Sequence, residues 1–365
     1  MPKSNKYYTS GKKIPLFKRG LFVIGFVLIS IACVLVLFEI TLRVRGDFLT
    51  YSEQNWGLYR SVHEPLNHDH YNAREPYWAY HQQVKDFSIQ YHFNSMGFRD
   101  VEHHLEKPIG TFRIVVLGDS WVESPGVPFD SIWLRQAEKL LNSSTDGSFH
   151  AYEIISAGNS GSDVFNNYLV LKDKMLAYKP DLVVLLFNSS DLSEVLIRGG
   201  WERFQEDGTL KFRKPQCNEY YYKHIHTFRF VLHELLGYGW ELLKPSEYKS
   251  KLAESTQLIA STITGIDKMS NQHSAKFVTA IHPALEEYRT GKYRSHFVKI
   301  DSIIRDHSVE THDLWPCMVN STKAAGVAME DIYFPTDLHH NSLGHRFMAQ
   351  CFVQSLKENH LKRTP

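Results

Sequence analysis

Residues Ile114 to Ser120 read I-V-V-L-G-D-S, an apolar run that ends abruptly in Gly-Asp-Ser. Such a run, stopped by glycine, predicts a buried strand followed by a tight turn. Open α/β sheets bind ligands outside the carboxyl ends of their strands, which is where Ser120 would lie. Its hydroxyl can act as a nucleophile if other segments supply a base and an oxyanion-stabilising site. The alternative is plain turn chemistry, because glycine, aspartate and serine all favour turns.

Strands and helices alternate along the chain from Phe112 onward. Strands are predicted at 114–117, 152–156, 182–187, 276–281 and 309–311. Helices are predicted at 131–141, 163–178, 252–269, 297–307 and 341–356. Apolar strands that alternate with helices are typical of a parallel sheet covered on both faces. We therefore predict an α/β fold, a three-layer α/β/α sandwich with a parallel central sheet.

The predicted main domain covers residues 109–365 and contains an insertion at about 197–251. The insertion is rich in tyrosine, phenylalanine and tryptophan. Its aromatic side chains form either a lid or substrate wall, or the core of a small helical subdomain. Residues 42–108, rich in tyrosine, histidine, asparagine and proline, are predicted to be an irregular or β-containing extracytoplasmic extension.

The N-terminus predicts a membrane anchor. Residues 1–19 form a basic tail, and the segment 20–41 is almost entirely apolar. About 20 helical residues cover the roughly 30 Å of a bilayer's hydrocarbon core. A cleaved signal peptide is the alternative, but its apolar region is usually about 7–15 residues long and is followed by a small-residue cleavage site. The positive-inside rule places the basic tail in the cytoplasm and the body of the protein outside, in the periplasm of a Gram-negative bacterium.

Composition excludes some function classes. The chain has 365 residues, 43% of them hydrophobic and 22% charged, which is ordinary for a folded protein of one or two domains. A net charge of +1 gives no reason to expect a nucleic-acid partner. His68-Asp69-His70 and His224-Ile225-His226 have the residue types of metal ligands but no further signal, so we predict no metal and no cofactor.

Four cysteines are too few for a disulfide scaffold. Cys33 lies in the predicted span and Cys351 on an apolar helical stretch, and both are interpreted as buried thiols. Cys217 and Cys317 remain a possible pair in an oxidising compartment.

Near the C-terminus, residues 337–345 read D-L-H-H-N-S-L-G-H. A carboxylate next to an imidazole is what a catalytic triad needs, since the aspartate fixes the tautomer and the other ring nitrogen takes the serine proton. Asn341 precedes an apolar periodic run and predicts a helix N-cap. The histidine would therefore lie on the loop just before that helix.

Two loops at the carboxyl ends of predicted strands are candidate donors to an oxyanion. Residues 156–163 read S-A-G-N-S-G-S-D, and residues 188–191 read N-S-S-D. Glycine lets backbone N–H groups approach a ligand closely, and asparagine or serine side chains add a donor.

The order of these blocks resembles the SGNH (GDSL-like) hydrolase superfamily across residues 112–356, with the approach N-S-M-G-F-R at 94–99. The resemblance implies a nucleophile at Ser120 and an oxyanion glycine at Gly161. The third block follows P-D-L-V-V-L but reads N-S-S-D where the family has Gly-x-Asn-Asp, so Ser190 stands at the oxyanion asparagine's position. Either the Ser190 hydroxyl or the Asn188 amide would then supply the third donor.

The last block leaves two histidines to choose from. The family's Asp-x-x-His spacing selects His340, whereas its downstream His-x-Asn-x-x-Gly register selects His339. We predict His339 as the base, because the helix cap at Asn341 fixes that register, and Asp337 as its orienting acid.

The resemblance implies a membrane-anchored serine esterase that hydrolyses an acyl or acetyl ester of a glycan or lipid through an acyl-Ser120 intermediate. Two alternatives stay open. One is an acyltransferase that modifies a surface glycan, and the other is a non-catalytic domain that binds glycan or protein. The implied partners are an ester substrate and the membrane.

Overall fold

The computed structural model describes residues 16–45, 76–143, 149–204, 217–239 and 243–361. The chain forms two compact units. One consists of residues 1–56 and 215–240, and the other of residues 57–214 and 241–365. The metal-type triplet His68-Asp69-His70 lies outside the described residues.

The larger unit is built on a five-stranded parallel sheet in the order β4-β3-β5-β6-β7. An antiparallel hairpin, β1 with β2, precedes it. The strands are β1 (Ala79–Gln83), β2 (Ser88–His92), β3 (Thr111–Gly118), β4 (Ala151–Gly158), β5 (Leu182–Phe187), β6 (Lys276–Ile281) and β7 (Glu310–Asp313).

Helices connect the strands and cover both faces of the sheet. In the larger unit they are α2 (Ser120–Glu123), α3 (Trp133–Asn142), α4 (Val164–Asp173), α5 (Ser190–Arg198), α8 (Pro245–Gln272), α9 (Leu285–Thr290), α10 (Ser295–Asp306), α11 (Trp315–Ala324) and α12 (Ser342–Asn359). The smaller unit has α1 (Leu16–Arg45), α6 (Cys217–His224) and α7 (His226–Phe230), followed by a π-helical turn at Val231–Leu235.

The central strands are apolar throughout because both of their faces are buried. Along β3, Ile114 and Val116 enter the core beneath α3 and α12, whereas Val115 and Leu117 enter the core beneath α4, α8 and α10. Successive side chains of a strand point to opposite faces, so one apolar run supplies both cores. The predicted three-layer α/β/α sandwich is confirmed.

The sheet has a topological switch point between β3 and β5. The chain leaves β3 for β4 on one side, returns to β5 on the other side, and continues to β6 and β7. Loops at the carboxyl ends of strands flanking such a point diverge and leave a crevice. Ser120 follows β3 and Asn188 follows β5, so both lie at this crevice.

Helix α1 belongs to the smaller unit. Among the described residues it is the single helix long and apolar enough to cross a membrane, and its most apolar 18-residue window has a mean hydropathy of 3.2. The Glu39 carboxylate accepts the backbone N–H groups of His226 (2.9 Å) and Thr227 (2.6 Å) at the start of α7. These bonds satisfy two amides that a helix start leaves unpaired and fix α7 on α1.

The structure corrects the interpretation of the cysteines. Cys317 on α11 forms a disulfide with Cys351 on α12, across 34 residues of sequence. The possible pairing of Cys317 with Cys217 is therefore excluded, and the interpretation of Cys351 as a buried thiol is wrong. No sequence pattern marks the observed pair, because it depends on how the two helices pack.

Removing this disulfide is expected to destabilise the protein. In the chain-entropy model, a disulfide that closes a loop of 34 residues raises the free energy of unfolding by about 4 kcal/mol. The double variant Cys317→Ser/Cys351→Ser should lose that amount in denaturant titrations of the detergent-solubilised chain. Cys33→Ser, which changes the free cysteine of α1, is the control and should unfold like the parent protein. Equal stability of the double variant and the parent would contradict the assignment.

Candidate active site

Ser120 lies on a sharp turn that Asp119 and Gly158 stabilise. It is the first residue of the short helix α2, and the Asp119 side chain caps that helix by accepting the Trp121 N–H at 2.9 Å. A Cβ on Gly158, at the end of β4, would lie 2.3 Å from the backbone nitrogen of Glu123. Only glycine there lets β4 approach the helix that carries Ser120.

Ser120, His339 and Asp337 form a hydrogen-bonded relay. The Ser120 Oγ lies 2.8 Å from His339 Nε2, and His339 Nδ1 lies 2.6 Å from Asp337 Oδ1. These distances are the ones that proton transfer from a serine to an oriented imidazole requires. Ser120 and His339 are 219 residues apart in sequence, so only the fold brings them together.

The loop that carries Asp337 and His339 is held from several sides. Leu338, between them, adopts the left-handed conformation with φ 69°, which non-glycine residues rarely adopt. The Phe334 N–H donates to the His339 carbonyl at 2.7 Å and closes the loop. Asn341 caps α12 as predicted, accepting from Leu343 N and Gly344 N.

Asp86, in the β1–β2 turn, supports this loop and was missed by sequence reasoning. Its Oδ2 accepts the backbone N–H groups of Thr336 and Asp337, each at 2.7 Å. Burial alone would raise the pKa of Asp86, but these two N–H groups outweigh it and lower the pKa. Asp86 lies in the stretch predicted to be irregular, about 250 residues before its partners, so no local pattern could identify it.

His340 occupies a different environment from His339. Its ring is buried against Trp121 and Tyr333, at centroid distances of 5.0 and 4.6 Å. Burial lowers the pKa of His340 well below its ordinary value and lowers that of His282 to about 4. Both rings are therefore neutral at pH 7 and place no positive charge beside His339.

The Trp121 ring packs against the rings of His282, His339 and His340. The centroid of the Trp121 ring lies 4.8 Å from that of His339 and 4.5 Å from that of His282. The Trp133 Nε1–H donates to the Trp121 carbonyl at 2.9 Å. An indole packed on the imidazole limits the ring orientations that His339 can adopt. The position of Trp121 next to Ser120 is the one feature of the sequence that points to this contact.

The loop with Gly161 is fastened to the segment that carries Ser120. The Ser162 hydroxyl donates to the Gly118 carbonyl at 3.0 Å, and the Ser160 N–H donates to the buried Glu123 carboxylate at 2.6 Å. Gly161 has φ 77°, a left-handed conformation that suits glycine. These two bonds hold the loop that contains Gly161 against the turn after β3.

Asn188 and Ser190 are bonded to each other. The Asn188 Nδ2 donates to Asp119 Oδ2 at 2.9 Å, and its Oδ1 accepts from the Ser190 hydroxyl at 2.6 Å. Burial raises the pKa of Asp119, although the N–H groups of Trp121 and Asn188 act to lower it. The Asn188 amide therefore acts as a bridge between the β3 turn and Ser190.

The N-S-M-G-F-R stretch supports the segment that follows Ser120. Arg99 is 2% exposed and donates to the carbonyls of Ser124 and of Val127, the latter at 2.6 Å. Ser124 ends α2 in the left-handed conformation, with φ 65°. A buried guanidinium that satisfies these carbonyls fixes the exit from α2.

Comparisons with known proteins give structural neighbours only. No protein-family model matches the sequence, and no curated protein matches it. Among solved structures, a two-domain esterase active on acetylated mannans is similar at 13% identity and a TM-score of 0.42, over 70% of this chain and 52% of that one. This chain therefore spans about half the length of that esterase.

Two further neighbours match over nearly their whole length. A lipase/acylhydrolase from Enterococcus faecalis is 15% identical, with a TM-score of 0.40, and the match covers 70% of this chain and 99% of the other. A GDSL-like lipase from Parabacteroides merdae is 12% identical, with a TM-score of 0.39, over 67% and 95% of the two chains.

Proposed function

We propose that the protein is a serine esterase with Ser120 as nucleophile, His339 as base and Asp337 as orienting acid. The relay of hydrogen bonds of 2.8 and 2.6 Å that joins the three side chains carries this proposal. It lies at the switch point of a parallel sheet, where α/β proteins bind their ligands.

The reaction follows from the positions of the protons. His339 Nε2 takes the Ser120 proton as Oγ attacks the ester carbonyl carbon, and the resulting imidazolium passes that proton to the departing alkoxide. This leaves an acyl-Ser120 ester and a free alcohol. Water, deprotonated by His339, then attacks the acyl carbon and releases the acid and Ser120. Asp337 stays ionised and stabilises the imidazolium in both steps.

The developing oxyanion would be held by backbone N–H groups of Ser120 and Gly161. The Ser190 hydroxyl hydrogen is directed to Asn188 Oδ1, so Ser190 must turn before it can donate to the oxyanion. The Asn188 amide gives one of its two N–H hydrogens to Asp119. One missing donor costs about 2.7–4 kcal/mol of transition-state stabilisation. We therefore expect a slower enzyme than one with a complete set of three donors.

The proposed substrate is an acyl or acetyl ester of a glycan or of a lipid, as the resemblance implies. An open pocket of about 440 Å³, lined among others by Tyr293, Asp313 and Trp315, lies at the carboxyl end of β7. It is at the same edge of the sheet as Ser120 but three strand positions away from β3, so it does not choose between the two classes.

We also propose a single-pass anchor through α1 with the catalytic unit outside the cytoplasm. The basic tail before α1 supports this orientation, and so does the Cys317–Cys351 disulfide, because disulfides persist in oxidising compartments.

A fluorophosphonate probe tests the proposed nucleophile. The purified full-length chain in detergent should gain one covalent adduct on Ser120, identified by peptide mass spectrometry. Ser120→Ala should gain none there. Ser143→Ala removes an exposed hydroxyl at the end of α3 and should label like the parent. A folded parent protein without an adduct on Ser120 would rule out the esterase.

A further inference from the structure

We propose that Glu310, His312 and His360 form a binding site for one divalent transition-metal ion, best matched by zinc. Glu310 and His312 are alternate residues of the edge strand β7, so both point to the same face of the sheet. His360 ends α12, at the opposite end of that helix from His339. The site thus joins two elements that are distant in sequence.

Three ligand atoms converge there. His312 Nε2 lies 2.7 Å from Glu310 Oε1 and 3.2 Å from His360 Nε2. Glu310 Oε1 and His360 Nε2 lie 3.5 Å apart. Ligands bound tetrahedrally at about 2.0–2.1 Å from zinc are separated by about 3.3 Å. One ion can therefore contact all three atoms with small adjustments and keep a fourth position open.

The contacts of the cluster allow a cation to bind. The His312 Nδ1 lies 2.8 Å from the Ser355 hydroxyl, which leaves Nε2 to face both Glu310 and His360. Two imidazole nitrogens 3.2 Å apart cannot both direct a proton at each other. When both are unprotonated, their lone pairs and the carboxylate oxygen are satisfied together by a metal ion.

Burial and access also fit a metal site. The His312 and His360 side chains are 3% and 4% exposed, whereas Glu310 is 48% exposed. The histidines are thus fixed by the fold, and the carboxylate leaves an entry path. The hydrogen bond to Ser355 orients the His312 ring in the way that outer partners of metal-binding histidines usually do.

The expected role is structural. Helix α12 has 18 residues and is about 27 Å long, so its last turn is remote from Ser120. An ion would fasten the end of α12 to the edge of the sheet, while the Cys317–Cys351 disulfide fastens its middle. The sequence predicted no metal site, because the three ligands have no recognisable spacing along the chain.

Zinc binding to the untagged full-length chain tests the site. After chelation, reloading with Zn²⁺ and dialysis against metal-free buffer, the parent protein should retain one equivalent of Zn²⁺. It should also unfold at a higher temperature with the metal than without it. His312→Gln and His360→Gln should each weaken binding by at least about 100-fold, and Ser355→Ala by about tenfold.

His307→Gln is the matched control, because His307 ends α10 as His360 ends α12. It should bind zinc like the parent protein. The proposal is overturned by a parent protein that retains no zinc, or by His312→Gln and His360→Gln proteins that retain it fully. Either result leaves the esterase proposal untouched, since probe labelling of Ser120 is measured separately.

Discussion

Replacing His339 by alanine is expected to lower the kcat/KM of ester hydrolysis by about 10⁶-fold. Without the imidazole, nothing takes the proton from the Ser120 Oγ that lies 2.8 Å from it. Binding and the oxyanion donors remain, so a residual rate above that of water should persist. The measurement is the initial rate on a chromogenic acetyl ester, with fluorophosphonate labelling of Ser120 as a second readout.

His340→Phe is the matched control for this prediction. Phenylalanine keeps an aromatic ring against Trp121 and Tyr333, and it removes a buried Nε2 that has no hydrogen-bond partner among the described residues. This variant should keep most of the parent's activity and labelling. If His340→Phe were inactive and His339→Ala active, the base would be His340, and the geometry at Ser120 would not describe the working enzyme.

Replacing Asp337 by asparagine is expected to lower kcat by about 10⁴-fold. In the parent protein the Asp337 carboxylate accepts the N–H of His339 Nδ1 at 2.6 Å. In the variant, the asparagine amide donates an N–H to the same nitrogen. The imidazole then takes the tautomer with its proton on Nε2, and it cannot accept the proton of Ser120. The stability of the variant should change little, since asparagine has nearly the same shape.

Asp130→Asn controls for the loss of a negative charge. Asp130 has an 89% exposed side chain and pairs loosely with Lys139 at 3.7 Å. Exposed pairs of this kind contribute little, so its rate should equal that of the parent protein. An Asp337→Asn protein with parental kcat would mean that Asp337 does not orient the base.

The strands and helix caps were readable from the sequence because they depend on local patterns. The strands β5 and β6 have the predicted bounds, and Asn341 caps α12. Helix α4 is shorter than predicted and starts after its cap Asp163. The chain beyond it tightens into a 3₁₀ turn at Met175–Tyr178, which apolar periodicity does not distinguish from a helix.

The site was only partly readable. The candidate residues Ser120, Gly161 and Asp337 follow from blocks that are each short and local, and their catalytic roles stay predictions. Asp86 bonds the loop that carries Asp337, and Arg99 bonds the segment that follows α2. Both contacts join segments that are separated in sequence. Such contacts leave no pattern along the chain.

The sequence by itself determined the layered α/β fold, since alternation of strands and helices and the burial of apolar runs are properties of short segments. It also determined that Gly118-Asp119-Ser120 ends a strand. Only the tertiary structure decided which histidine faces Ser120, because His339 and His340 are neighbours and the left-handed Leu338 sets their directions. It likewise decided the bridge from Asn188 to Asp119 and the pairing of Cys317 with Cys351. Those choices depend on distances through space, which a linear pattern does not contain.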